Sequence, residues 1–137
     1  MIRHANIGDI PHLVTLVERE HMLSPWRGEV FDRGAAASSI RSFIEGFNRT
    51  MLMSEHGYFA GLVQSMTFSH VPWGIEFAWY AEDGQGFPLL QAFEGWAQRM
   101  GAKRVVVNDI ISHGGLSKVL TAKHGYAPLG TSLQKDL

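Results

Sequence analysis

The sequence contains no cysteine. That absence excludes disulfides, thiolate metal sites and any cysteine nucleophile. Nor is there an excess of one charge. Twelve basic residues stand against thirteen acidic ones, so the chain has no broad field for nucleic acid or an anionic membrane. No apolar run approaches the roughly 20 residues that span a bilayer. The first residues, Met1-Ile2-Arg3-His4-Ala5-Asn6, lack the apolar core of a secretory signal. The expected setting is the cytosol, with neither nucleic acid nor membrane as a partner. Internal repeats, linkers and low-complexity tracts are also missing.

Several catalytic motifs fail for want of a member. No Gly-Lys-Ser/Thr triplet completes a phosphate-binding loop, and no G-x-S-x-G supplies a serine nucleophile to accompany His113-Gly114-Gly115. The seven histidines include no H-E-x-x-H or H-x-H. Glu18-x-x-His21 places a carboxylate and an imidazole on one helical face, a spacing known from di-metal bundles, but it occurs once and reads as a surface pair. No metal site is expected.

What is present describes one globular domain, residues 1–137. Hydrophobic residues make up 45% and charged residues 18%, enough apolar material for a core and too little charge for disorder. Ile2 to Ala5 reads as a short strand. Asp9 is placed to cap a helix with Pro11 in its first turn, and Ile10, Leu13, Val14 and Val17 form its apolar face. Ser24-Pro25-Trp26-Arg27-Gly28 is a loop, and a second helix covers roughly Ala35 to Asn48, with Ile40, Phe43, Ile44 and Phe47 buried. Met51–Met53 and Tyr58–Val63 flank Ser54-Glu55-His56-Gly57, a hairpin signature with glycine at a positive-φ position. The second run continues through Met66 and Phe68. Ile75 to Ala81 makes a further strand, with Ile75, Phe77 and Trp79 on one face and Glu76, Ala78 and Tyr80 on the other.

Gly84-Gln85-Gly86-Phe87 then opens an amphipathic helix in which Leu89, Leu90, Phe93, Trp96, Ala97 and Met100 share a face. The first N–H groups of a helix lack intrahelical partners, and the helix dipole adds partial positive charge, so this junction is an expected phosphate site. The competing readings are a plain turn and a dinucleotide loop, the latter lacking its third glycine and second β-α-β unit. Gly101 ends the helix, and Arg104 to Ile110 is a β-branched strand, so residues 75–110 form a β-α-β unit with parallel strands. Gly114-Gly115 opens a short helix with Leu116, Val119 and Leu120 inward, closing near Gly125. Tyr126 to Leu137 is a final strand or two. The order is β-α-α-β-β-β-α-β-α-β, an α/β domain with a mixed sheet.

Residues 84–97 resemble the acyl-CoA-binding motif of the GNAT superfamily of N-acetyltransferases: Gly84 and Gly86 match its paired small residues and Leu89-Leu90 its hydrophobic pair. Ala81 stands where the pattern has Gln or Arg, and Glu82-Asp83 makes the approach acidic. Ile2-Arg3-His4-Ala5 with Asp9-Ile10-Pro11-His12-Leu13, Glu94 to Val105, Leu120 to Tyr126 and Lys135-Asp136-Leu137 resemble other elements of that superfamily in order. The set looks similar to short, divergent members encoded by phages and prophages.

The resemblance implies a GNAT-like fold: a mixed, mostly antiparallel sheet with a central parallel pair and helices on both faces. It implies acetyl-CoA as co-substrate between the strands at 75–81 and 104–110. Backbone groups of Trp79, Tyr80 and Ala81 would pair with the pantetheine arm, the amides of Gly84, Gln85, Gly86 and Phe87 would hold the pyrophosphate, and Asn108 would contact the cofactor. Glu76 is the implied base, its alternative being a solvated strand residue. Thr121 occupies the place of the usual tyrosine acid, which leaves His113, Ser112 and Tyr80 as candidates. The implied acceptor is a primary amine on a small molecule or protein. Its pocket would form around His21 to Arg27 and His70 to Trp73, where Trp26 and Trp73 line it or plug local gaps. A sheet-edge homodimer is common in such families. The alternative is a catalytically degenerate binding module or virion-associated structural protein.

Overall fold

A computed structural model describes residues 1–112 and 114–137. Its sheet runs in the order β1 (Arg3–His4), β2 (Arg49–Ser54), β3 (Gly57–Ser65), β4 (Pro72–Ala81) and β5 (Arg104–Val106). Strands β1 to β4 pair with one another antiparallel, and β4 and β5 are parallel, as the β-α-β reading requires. The helices are α1 (Ile10–Leu23), α2 (Arg33–Glu45), α3 (Gly86–Arg99) and α4 (Gly115–Lys123). None is long and apolar enough to cross a membrane among the described residues.

Side-chain alternation along β2 and β3 splits the core in two. Met51, Met53, Tyr58 and Ala60 pack with Leu13, Val14 and Leu16 of α1 and Ile40 and Phe43 of α2. Leu52, Phe59 and Val63 point the other way, onto Leu89, Leu90, Phe93 and Ala97 of α3 and Leu120 of α4. Trp96, expected in that core, lies half-buried at its margin, stacked on Phe93.

Gly61 lets α3 come close. A methyl there would lie 2.6 Å from Phe93 Cζ, inside any tolerable contact. The register shifts at Ala60/Gly61, where Ala60 opposes Ala78 and Gly61 opposes Glu76, so Phe77 is an extra residue on β4. This bulge breaks the expected alternation. Phe77 packs on Phe43 of α2, ring centroids 4.8 Å apart, and Ala78 and Tyr80 face the same cluster. Trp79 faces α3. Phe77 and Trp79 therefore lie on opposite faces.

Other expectations shift for identifiable reasons. Asp9 does not cap α1 with its side chain. It accepts a bond from the Asn6 N–H, closing a capping box around a one-turn 3-10 helix (Ile7–Asp9), and binds Arg3 through both oxygens at 2.7 and 2.8 Å. The second helix stops at Gly46, whose extended ψ turns the chain and leaves Phe47 exposed. In the hairpin, Glu55-His56 makes the turn and Gly57 belongs to β3 without positive φ. The strand after it ends at Ser65, short of Met66 and the exposed Phe68.

At the far edge β5 stops at Val106, four residues early, and two residues further on the Asn108 N–H donates to the Glu76 side chain instead of to a strand. No strand forms over Tyr126 to Leu137. Residues 127–137 are all exposed, interrupted by Pro128 and Gly130, and bury nothing that would hold them to β5.

Gly61→Ala should lower unfolding stability by about 1–3 kcal/mol through overpacking against Phe93. Gly28→Ala, where added atoms meet nothing within 4 Å, should stay within about 0.5 kcal/mol of the parent. Denaturant unfolding of the two variants checks the contrast.

Candidate active site

Strands β4 and β5 touch only at Trp73–Arg104, Gly74–Val105 and Ile75–Val106. Beyond Ile75 they part, since β4 continues to Ala81 while β5 ends. The β5-facing edge of β4 over Phe77 to Ala81 therefore has no strand partner among the described residues. Glu76 is the first residue past the pairing. It is 9% exposed, not the solvated strand residue of the simpler reading. Its Oε2 accepts bonds from the Asn108 N–H at 2.9 Å and from Asn108 Nδ2 at 3.4 Å. Both Asn108 donors are thus turned toward Glu76. Burial pushes the Glu76 carboxyl above the ordinary glutamate range, while the two Asn108 bonds pull the other way.

At the other end of the β4 free edge lies the glycine turn. Gly84 has φ +75°, a left-handed value that a side chain disfavours. Helix α3 starts at Gly86 with no side-chain cap. Among the described residues the amides of Gly86 and Phe87 make no hydrogen bond within the chain, and Pro88 has none to offer. Trp79 supports this start by donating its indole N–H to the Gly86 carbonyl at 3.1 Å. Phe87 lies between Trp79 and His124, stacked on the latter with ring centroids 4.7 Å apart. Ala81 packs into the α3 face below.

The acidic approach is accommodated. Glu82 pairs with Arg19 of α1 and accepts the Tyr80 hydroxyl at 2.8 Å. Asp83 accepts from Ser54 Oγ and the His56 N–H, both at 2.8 Å, and from the Gln85 N–H at 3.2 Å. Burial alone would raise its pKa, but those bonds hold the carboxyl below the ordinary aspartate range. Asp83 thereby clamps the β2–β3 turn to the glycine turn. It also occupies the Gln85 amide, one of the four expected to meet a pyrophosphate.

The sequence reading overlooked Glu20. It lies seven residues after Leu13 on the inward stripe of α1, and that position was the available signal. Its Oε2 accepts the hydroxyl of the buried Tyr58 on β3. Burial, and then the negative charge of Glu76, push its carboxyl up to about 8.

The candidate acids are otherwise engaged. Tyr80 donates to Glu82, and burial with that bond raises its pKa. Ser112 donates to Asp109 near the start of α4. The Thr121 hydroxyl turns back on the Ser117 and Lys118 carbonyls. His113 lies outside the described residues.

The predicted acceptor wall is divided. A cavity of about 390 Å³ beside α1 is lined by Glu18, Arg19, His21, Met22, Arg27, Glu29 and Phe31. Trp73 instead borders a larger cleft, about 1460 Å³, along the outer edge of β5, where Arg104 sits over its ring. That cleft reaches Asn108 but neither Glu76 nor the glycine turn, and the unpaired C-terminal segment forms its far side. Trp26 bonds Gln134. Glu18 pairs with Arg33, and no group of three His, Asp or Glu among the described residues could hold a metal.

The sequence matches no protein-family model and no curated protein. Solved structures match the whole fold. A ribosomal-protein-alanine N-acetyltransferase from Brucella melitensis biovar Abortus 2308 superposes with TM-score 0.73 at 11% identity, covering 99% of both chains. A GNAT family acetyltransferase from Staphylococcus aureus gives 0.69 at 15% identity, over 100% of this chain and 98% of that one. An aminoglycoside acetyltransferase from an uncultured soil metagenomic sample, solved with sisomicin, gives 0.69 at 14% identity, over 100% and 95%. The chain has the α/β fold of GNAT acetyltransferases.

A carboxyl raised by folding binds protons that the unfolded chain has released, so it costs stability as pH rises from the unfolded to the folded pKa. For Glu20 that window runs from about 4.3 to about 8. Denaturation midpoints should fall across it, and Glu20→Gln should flatten the decline.

Proposed function

We propose that this protein is an N-acetyltransferase that moves an acetyl group from acetyl-CoA directly to a primary amine. One observation carries the reading. A buried carboxylate, Glu76, stands at the fork of two parallel strands, and the unpaired edge of β4 leads from it to the free amides at the start of α3. An extended arm pairs with such an edge as an added strand does, and a phosphate suits such a helix start. The residues fit the co-substrate. Trp79, Tyr80 and Ala81 offer the backbone edge, while Gly84, Gly86 and Phe87 offer small, accessible backbone. Gln85 joins them once its amide leaves Asp83. Asn108 acts on the reaction by holding Glu76.

An alkylammonium with a pKa of about 10.4 must lose a proton before attack. Glu76 receives it, directly or through water. The amine nitrogen then bonds to the acetyl carbon as the carbon–sulfur bond breaks, the nitrogen sheds its second proton to solvent, and the thiolate takes up a proton. With no cysteine present, no acyl-enzyme on sulfur forms. Two of the structural neighbours carry amine acceptors in their names, one an aminoglycoside and one a ribosomal protein. We infer an acceptor of that broad kind, a cytosolic setting, and, for any homodimer, pairing through the open edge of β5.

The Thr121 hydroxyl bonded to its own helix, and the Gln85 amide bonded to Asp83, favour a second reading. In it the fold is kept as a binding or virion-associated structural module without turnover.

Calorimetric titration with acetyl-CoA should give saturable heat at micromolar concentrations, and a flat trace at high micromolar would contradict the transferase. Glu76→Gln should slow acetyl transfer on the order of a hundredfold or more while leaving acetyl-CoA affinity unchanged. Unchanged turnover would remove Glu76 from its role.

A further inference from the structure

The acetyl-CoA reading leaves the start of α3 short of side-chain donors. Residues 81–91 contain no lysine or arginine, and Arg19, which reaches the approach from α1, is committed to Glu82. The other donors around the turn are engaged as well. The Trp79 indole donates to the Gly86 carbonyl, the Tyr80 hydroxyl to Glu82 and the Gln85 N–H to Asp83. His56 gives its backbone N–H to Asp83, while its ring lies against Glu55 and His12. The amides of Gly86 and Phe87 would be left to meet a charged pyrophosphate alone.

Helix α4 brings a further donor to this place. His124 directly follows its last residue and is fixed there by its own N–H, which bonds the Leu120 carbonyl. Its ring lies flat on that of Phe87, with centroids 4.7 Å and planes 9° apart, and Trp79 meets the same phenyl edge-on at 6.3 Å. Phe87 thus carries one of the free amides on its backbone and the imidazole on its ring. Packing does not use up the imidazole. The side chain is half-buried, yet it bonds no described residue, and neither ring nitrogen is shut off from solvent. Whichever tautomer the ring adopts, one of its nitrogens is a donor.

We propose that His124 donates to the coenzyme's pyrophosphate, completing from α4 a cradle otherwise made of the first α3 amides. This rests on the acetyl-CoA reading, in which the pantetheine arm follows the free edge of β4 toward Glu76 and the phosphates lie at the α3 end. The stack holds the imidazole in place before the ligand arrives, so little side-chain freedom is lost on binding. The contact is remote from the acetyl group and acts on coenzyme affinity, not on the transfer step.

Calorimetry of the parent, His124→Phe and His124→Arg tests this with coenzyme A, dephospho-coenzyme A and, titrated to millimolar, pantetheine. Thermal melts report the folding of each variant. Phenylalanine keeps the stack and removes the donor. Arginine keeps both, since a guanidinium stacks on aromatic rings and donates. We expect His124→Phe to weaken coenzyme A and dephospho-coenzyme A about tenfold, the scale of one hydrogen bond to a charged group. Pantetheine, which has no phosphates, should bind that variant as it binds the parent, and His124→Arg should hold coenzyme A as tightly as histidine does. Unchanged coenzyme A affinity in His124→Phe overturns the proposal, as does an equal loss for pantetheine. A loss with coenzyme A but not with dephospho-coenzyme A, which lacks only the ribose phosphate, places the contact on that phosphate and also overturns it. A parent protein that binds none of the three overturns the acetyl-CoA reading, and this proposal with it.

Discussion

The structure depends on the close approach of α3 to a patch of sheet with almost no side chains. Phe93 lies over Gly61, and Ala97 lies over Gly74 with added-methyl clearance of only 2.9 Å. Bulkier residues at those two strand positions would push the helix outward and pull its start away from the end of β4. Because the helix is seated there, the Gly86 carbonyl reaches the Trp79 indole and the start of α3 is held beside the end of β4. The bulge next to Gly61 is part of the same arrangement. It inserts Phe77, sends that ring to α2, and brings Glu76 to the point where β4 and β5 separate.

Hydrogen bonds rather than cations govern the charges around this frame. Asp83 is kept anionic by three donors and uses them to tie the β2–β3 turn to the glycine turn. Glu82 is the exception, neutralised by Arg19. The acidic approach that looks hostile to a pyrophosphate in the sequence is therefore turned inward and spent on structure. Asn108 donates to Glu76 with its backbone N–H and its side-chain amide, opposing the burial that raises that carboxyl.

Much of the fold was legible because periodicity and punctuation agree. The stripe on α3, the glycines at 84, 86 and 101, and the β-branched run from Arg104 each predict the observed element. What was not legible depended on contacts distant in sequence. Nothing near Phe77 marks it as the extra residue of a bulge, which shows only in its pairing with β3. Past the end of β5, the Asn108 N–H meets the side chain of a residue 32 positions away, a contact no local pattern signals. Among the site residues, Glu76 and the glycine turn stood out by position. Glu20 did not, because an acid on an apolar helical stripe acquires meaning only when the buried Tyr58 hydroxyl is seen donating to it. The tail shows the converse error: Gly125-Tyr126 promised a closing strand, but residues 127–137 bury too little to form one.

The central claim is that the fork between β4 and β5, and not the larger cleft outside β5, receives the co-substrate. Amide hydrogen exchange with and without coenzyme A tests it residue by residue. The account predicts added protection at the free edge of β4, Phe77 to Ala81, and at Gly86 and Phe87, with the outer edge of β5 unchanged. Protection confined to Arg104–Val106 and the segment from Tyr126 onward, or none at all, would contradict it.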